Sequence, residues 1–273
     1  MENSKVRMPV VAGQFYPGTA AELTKQIESF VDKKVKKRDC IGCILPHAGY
    51  IYSGAVAAKT LSRVIVKERA VLLGPNHTGC GAPFSIMTSG VWRTPLGEVK
   101  IDEELAAGIC EKSTRLESDA IAHLEEHALE VELPLLQFFK RELRIVPISF
   151  RSQDLDALKQ TGRAIGEAIK GCGSKDSIII VASSDMTHYE PQQEAEKKDK
   201  EAIEAVLDLN EDLLMDKVTS LNISMCGIAP VIALLSAAKV LGAERGELIE
   251  YRTSGDATGD KSSVVGYAGI TIT

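Results

Sequence analysis

The sequence predicts an α/β protein: a three-layer α/β/α sandwich around a largely parallel, mixed central sheet. Three observations carry this expectation. Short apolar runs alternate with stretches whose apolar residues recur every three or four positions. Several of the runs are apolar throughout instead of alternating, which suits strands covered on both faces by helices. No low-complexity linker, fixed-period repeat or break in composition divides the 273 residues, so 1–273 reads as a single domain.

In chain order, helical spacing marks about 20–35, 54–66, 102–112, 124–140, 153–170, 193–207, 211–220 and 227–241, several bounded by Gly, Asp or Ser. Between them lie the strand candidates CIGCIL, AVLLG, FSIMT, RIVPI and SIIIVAS, and near the end ELIEYRTS and SVVGYAGITI. The last two have no helix between them, only GDATGDKS, and are expected to pair as an antiparallel edge hairpin that makes the sheet mixed. VWRTPLGEVKI (91–101) carries a Pro-Leu-Gly turn and reads as a second hairpin, with Trp92 as a packing residue. The helix IAPVIALLSAAKVLG is apolar enough for either a core or an interface.

Composition narrows the function classes. With 44% hydrophobic and 26% charged residues the chain is an ordinary globular protein. No apolar stretch approaches the roughly 20 residues of a membrane helix, and MENSKVRMPVVAGQFYPG lacks the apolar segment of a signal peptide. No membrane association and a cytoplasmic location are therefore expected. A net charge of -6 argues against a nucleic-acid partner, and the basic run KKVKKR (33–38) reads as the solvated last turn of the first helix. Six cysteines in such a chain are expected as thiols. Cys40 and Cys43 form a C-x-x-C, but in a strand residues three apart point to opposite faces, so two buried thiols are expected there.

Polar chemistry gathers at the strand ends. CIGCIL runs into Pro46-His47, AVLLG into Pro75-Asn76-His77-Thr78, and SIIIVASS into Asp185-Met186-Thr187-His188. Ligands of open α/β sheets bind beyond the carboxyl ends of the strands, so three of the five histidines at three such ends predict a shared site. Cys226, just before a helix starting near Gly227, is the candidate to complete it, because a helix N-terminus favours the thiolate. Neutral imidazoles suit zinc, iron, copper or nickel, and two of them with one anionic donor leave positions open for substrate or dioxygen, as in mononuclear non-haem iron sites. Asp185 and His188, in one loop, suit an orienting carboxylate and an acid/base imidazole. His127 and Glu130, three apart on a predicted helix, form half of a carboxylate metal motif or a supporting pair. Tyr50, Asn76 and Thr78 are candidates to touch a ligand or to support the residues that do, Tyr50 and Tyr52 are candidate pocket walls or loop packing, and His123 is expected to face solvent. No G-x-S-x-G, G-x-G-x-x-G or Walker pattern supports a serine hydrolase or a nucleotide site.

The blocks VRMPVVAGQFYPGTAAEL, LPHAGYIYSGAVAA, LLGPNHTG, WRTPLGEVKID, EEHALEVELPLLQ, IVPI, SSDMTHY and MCGIAPV follow one another over nearly the whole chain. Together they resemble the Memo family (mediator of ErbB2-driven motility). The resemblance implies a fold like that of the class III extradiol, or LigB-like, dioxygenases, whose site binds Fe(II). It implies His47, His77 and Cys226 as metal ligands, and Asp185 and His188 as pocket residues, with His188 matching the acid/base histidine of those dioxygenases. Those enzymes use a carboxylate where this chain has Cys226, and a thiolate favours softer metals, so ring cleavage does not follow from the fold. The resemblance also implies a radical-SAM protein and an AMMECR1-like protein as candidate partners, and a small-molecule or peptide ligand. Three readings follow: a metal-dependent redox protein, a non-catalytic module binding a peptide or phospho-ligand in the same cleft, and a metallohydrolase.

Overall fold

The computed structural model describes residues 6–173 and 175–273, so the first five residues of the N-terminal stretch read above lie outside the described residues. Among the described residues twelve strands form one sheet: β1 (Val6–Arg7), β2 (Gly42–Leu45), β3 (Arg69–Pro75), β4 (Phe84–Ile86), β5 (Val91–Thr94), β6 (Gly97–Ile101), β7 (Glu117–Ser118), β8 (Arg144–Phe150), β9 (Ile178–Ser183), β10 (His188–Glu190), β11 (Gly246–Thr253) and β12 (Val264–Ile272). They lie in the order β1-β5-β6-β8-β3-β9-β2-β12-β10, with β11 on β12 and β4 on β8. The centre, β6-β8-β3-β9-β2, is parallel. Both predicted hairpins form, β5 with β6 and β11 with β12, and β12 also pairs antiparallel with β2.

The continuously apolar strands do what the pattern predicts, feeding two cores by alternation. In β9, Ile178, Ile180 and Ala182 enter one core while Ile179 and Val181 enter the other. Helices α1 (Ala20–Phe30), α2 (Ala55–Ser62) and α5 (Ala128–Phe139) close one face. Helices α3 (Glu103–Lys112), α6 (Leu155–Gly171), α7 (Gln192–Leu207), α8 (Glu211–Ser220) and α9 (Ile228–Val240) close the other. The apolar helix α9 is core: Ile228 to Ala238 are all buried. It lies so close to α6 that a methyl at Gly162 would overlap the carbonyl of Ala233.

Several local expectations change. The first helix stops at Phe30, where Val31 turns extended, so KKVKKR lies in the following loop and does not cap a helix. The predicted 124–140 helix is two pieces, α4 (Ile121–Leu124) and α5, with His127 as the N-cap of α5. Strand β2 begins at Gly42, so Cys40 precedes it, and both Cys40 and Cys43 are buried in the same core instead of on opposite faces. His123 does not face solvent. It is 1% exposed, its Nε2 is 3.1 Å from Ser85 Oγ, and burial lowers its pKa to about 4. Trp92 packs as expected, under the Arg7 guanidinium at 4.4 Å. Among the described residues no helix is long and apolar enough to cross a membrane.

Candidate metal centre at the strand ends

Three neighbouring parallel strands, β3, β9 and β2, end side by side, with Leu45 opposite Ser183 and Leu73 opposite Ala182. Each ends two residues before a polar group: Leu45 before His47, Pro75 before His77, Ser183 before Asp185. That shared level is why residues far apart in sequence meet. The His47 and His77 rings are 5.3 Å apart. Cys226 arrives from the other side, on the turn into α9. Its Sγ lies 3.4 Å from His47 Nε2 and accepts from the Asp185 N–H at 3.3 Å. Next to it Gly227 donates its N–H to Ser184 Oγ at 3.1 Å, which ties the α9 turn to the end of β9.

With no ion bound, hydrogen bonds favour one nitrogen of each histidine as the free one. The Ser183 hydroxyl has one hydrogen and reaches two acceptors, Glu132 Oε1 at 2.9 Å and the Ala128 carbonyl at 3.2 Å. Toward His47 Nδ1, 2.8 Å away, it therefore accepts, and His47 keeps a lone pair on Nε2, facing Cys226. His77 Nδ1 donates to Glu126 Oε1 at 2.9 Å, and the His77 backbone N–H donates to Glu126 Oε2. That carboxylate–histidine pair leaves Nε2 of His77 free as a donor. His188 Nδ1 donates to the Ser224 carbonyl at 2.9 Å, so its Nε2 is the nitrogen available for proton exchange.

The electrostatics are those of a buried site. Burial, helped by the His77, His127 and His188 rings, holds the His47 pKa well below its ordinary value and keeps the ring neutral. Burial opposes charge on His77 too, but its hydrogen bond to Glu126 and that carboxylate's charge outweigh it and hold its pKa above the ordinary value. Burial lifts the Asp185 carboxyl to about 7, against the hydrogen bonds it accepts from the His47 and Ala48 backbone. Burial and the charge of Asp185 push the Cys226 thiol well up. The helix N-terminus expected to favour the thiolate is outweighed by burial and the Asp185 charge, and α9 itself begins only at Ile228.

The site opens into a cleft of about 750 Å³ that His47, His77, His127, Asp185, His188 and Cys226 line together. Phe15, Ile51, Tyr52, Tyr189, Val265 and Tyr267 supply its apolar walls. Tyr189, 80% exposed, has a left-handed backbone (φ 59), an uncommon conformation for a residue with a Cβ.

Four anticipated residues do not line the cleft. Tyr50 is buried and donates its hydroxyl to the Val131 carbonyl at 2.9 Å, so Tyr52 alone of the two tyrosines borders the cleft. Asn76 and Thr78 are absorbed in their own turn, where Asn76 Oδ1 accepts from Thr78 Oγ1 and the Gly79 N–H and thereby shapes the loop carrying His77. Glu130 does not pair with His127. It is fully buried and takes an ion pair from Arg7, both Val10 and Val11 N–H groups, and the Tyr16 hydroxyl at 2.6 Å. Through Phe15 this holds the N-terminal segment as one wall of the cleft. The sequence reading missed Glu126, Glu132, Ser183 and Ser224. The available signal was a run of glutamates, EEHALEVE, in and before a helix otherwise apolar enough to be buried.

The family model described as "Memo-like protein" matches residues 7–271. A MEMO1 family protein of Methanopyrus kandleri is 44% identical over 280 residues, covering 97% of this chain and 98% of that one. Those of Methanocaldococcus jannaschii and Aquifex aeolicus are each 44% identical with the same coverage. Among solved structures, the uncharacterized protein JW3007 from Escherichia coli K12 covers 83% of this chain and 98% of its own at 13% identity and a TM-score of 0.53, a likeness of fold.

Proposed function

Because this chain belongs to the Memo-like protein family, with the α/β fold that the site geometry requires, we propose that its cleft holds one ion of iron or copper on His47 Nε2, His77 Nε2 and Cys226 Sγ. The single observation that carries this is spatial: the ligand atoms of these three residues lie within 4.8 Å of one another at the floor of an open cleft. The set fits an ion. Donors bound at about 2.0–2.1 Å through nitrogen and about 2.3 Å through sulfur in tetrahedral array are themselves about 3.5 Å apart, and the His47–Cys226 distance is 3.4 Å. The two imidazoles have lone pairs already aimed by Ser183 and Glu126. An iron or copper ion supplies one-electron redox chemistry there, with a sulfur donor favouring copper(I) or zinc over harder ions.

The chain's own groups do the rest. Asp185 Oδ1 accepts the His47 backbone N–H at 2.8 Å and fixes the loop that carries this donor. His188, oriented by the Ser224 carbonyl and not by Asp185, presents Nε2 to the cleft and exchanges a proton with a small ligand bound there. The apolar walls exclude water from the body of that ligand. A radical-SAM protein and an AMMECR1-like protein are the proposed partners.

Metal analysis of protein purified without chelator, and again after anaerobic reconstitution with Fe(II) or Cu(I), tests this reading. The wild type is expected to retain one ion, and His47→Ala to lose Cu(I). Absence of metal from both preparations after reconstitution would sink the proposal.

A further inference from the structure

Nε2 of His77 serves the seat with His47 and Cys226, and its other nitrogen lies among a second set of donors. His77 Nδ1 lies 2.9 Å from Glu126 Oε1, and His127 Nδ1 lies 3.4 Å from the same oxygen. The ligand atoms of the three residues fall within 4.8 Å of one another. Nitrogen and oxygen donors bound to one ion at about 2.0–2.2 Å stand about 3–3.5 Å from each other, so this spacing receives an ion with little rearrangement. The His77 and His127 rings are stacked, with centroids 4.9 Å apart and planes 25° apart, and both line the cleft, which gives an ion a way in. The carboxylate between them is 2% exposed and is held by the Ala128 N–H at 3.0 Å.

We propose that His77, Glu126 and His127 form a second cation seat, a two-imidazole and one-carboxylate set for a hard divalent ion such as Mn(II). This rests on the reading of the cleft as a metal centre. It adds that the centre has two alternative positions joined by one histidine. A neutral imidazole has a single lone pair. With the proton on Nδ1, given to Glu126, His77 serves His47 and Cys226 through Nε2. With the proton on Nε2, it serves Glu126 and His127 through Nδ1. The tautomer of His77 therefore selects the seat, and one ion is held at a time. Sulfur against carboxylate then sorts the ions, soft ones to Cys226 and hard ones to Glu126.

Co(II) is the probe, because thiolate ligation gives it a strong near-ultraviolet charge-transfer band that imidazole and carboxylate do not. Titrated with Co(II), the wild type is expected to show that band. Cys226→Ser is expected still to take up one Co(II), without the band. Cys226→Ser combined with His127→Phe, which keeps a ring against Phe15 and His77, is expected to bind at least about 100-fold more weakly, the upper end for losing a mere supporting partner. Circular dichroism of each variant confirms that the fold is kept. A wild type that shows the band beside a Cys226→Ser protein that takes up no Co(II) overturns the second seat alone. So does a double variant that binds as tightly as the single one. A wild type that binds no Co(II) overturns this inference and the metal-centre reading together.

Discussion

Cys226 Sγ and His47 Nε2 face each other at 3.4 Å although 179 residues separate them, and neither is placed by its own element alone. His47 is aimed by Ser183 at the end of the neighbouring strand, and Cys226 by the packing of Gly227 against Ser184. The donors are preorganised by these supports, and the supports are where substitutions report on the site without touching a donor.

Ser183→Ala removes the acceptor of the His47 Nδ1–H at 2.8 Å and leaves the ring free to change tautomer or turn. Loss of such a supporting partner costs about 10–100-fold in metal affinity. Competitive titration with a chromophoric chelator is expected to show a loss in this range, with the number of bound ions unchanged. An unaltered affinity would remove Ser183 from the account.

Gly227→Ala tests the turn into α9. A methyl there would overlap Ser184 Cβ and the Ser183 carbonyl, so the turn must move away from the strand and take Cys226 with it. The backbone at Gly227 has a negative φ (-98), which leaves the overlap as the whole cause. The expected result is metal affinity reduced at least about tenfold, with His47 and His77 unmutated. Affinity equal to that of the wild type would show that Cys226 is not positioned by this contact.

Glu130→Ala should be a stability mutant. Its carboxylate is the partner of an Arg7 side chain that is itself 1% exposed, and removing one member of a buried pair costs about 3–5 kcal/mol. The Val10 and Val11 N–H groups and the Tyr16 hydroxyl lose their acceptor as well. Urea denaturation measures the loss; a change below about 1 kcal/mol would contradict the reading of Glu130 as the latch of the N-terminal segment.

His123 sets an acid limit. Its pKa is lowered to about 4 in the fold, chiefly by burial, against 6.5 ordinarily, so the unfolded chain takes up a proton first as pH falls. Stability from this residue is therefore complete above pH 6.5 and declines between 6.5 and 4, by about 1.4 kcal/mol per unit and about 3 kcal/mol in all. Comparing urea midpoints at pH 7 and pH 4.5, His123→Gln is expected to lose less stability on acidification than the wild type. Equal losses would mean that His123 does not carry this dependence.

What the sequence disclosed follows from the range of the physics involved. Continuous apolar runs such as SIIIVAS reveal a strand covered on both faces, and a polar residue just beyond such a run must emerge at the carboxyl edge of the sheet, so His47, His77 and Asp185 were legible. Their supports were not. Glu126 is 49 residues from His77 and Ser183 is 136 from His47, and no local spacing encodes those pairings. His127 and Glu130 looked like one pair because a continuous helix was expected. The helix starts at Ala128, which sends His127 into the cleft and Glu130 to Arg7. His123 was misplaced because a four-residue helix shows too little periodicity to reveal its buried side. Cys226 was expected as a thiolate from its place before a helix, and the burial and the neighbouring Asp185 that outweigh that effect exist only in the folded chain.

The central claim is that His47, His77 and Cys226 hold a soft ion together. Crystals of the protein reconstituted anaerobically with Cu(I) test it most directly, through anomalous scattering measured at the copper edge. The account predicts one anomalous peak within bonding distance of His47 Nε2, His77 Nε2 and Cys226 Sγ. A map from copper-loaded crystals with no peak there would contradict it.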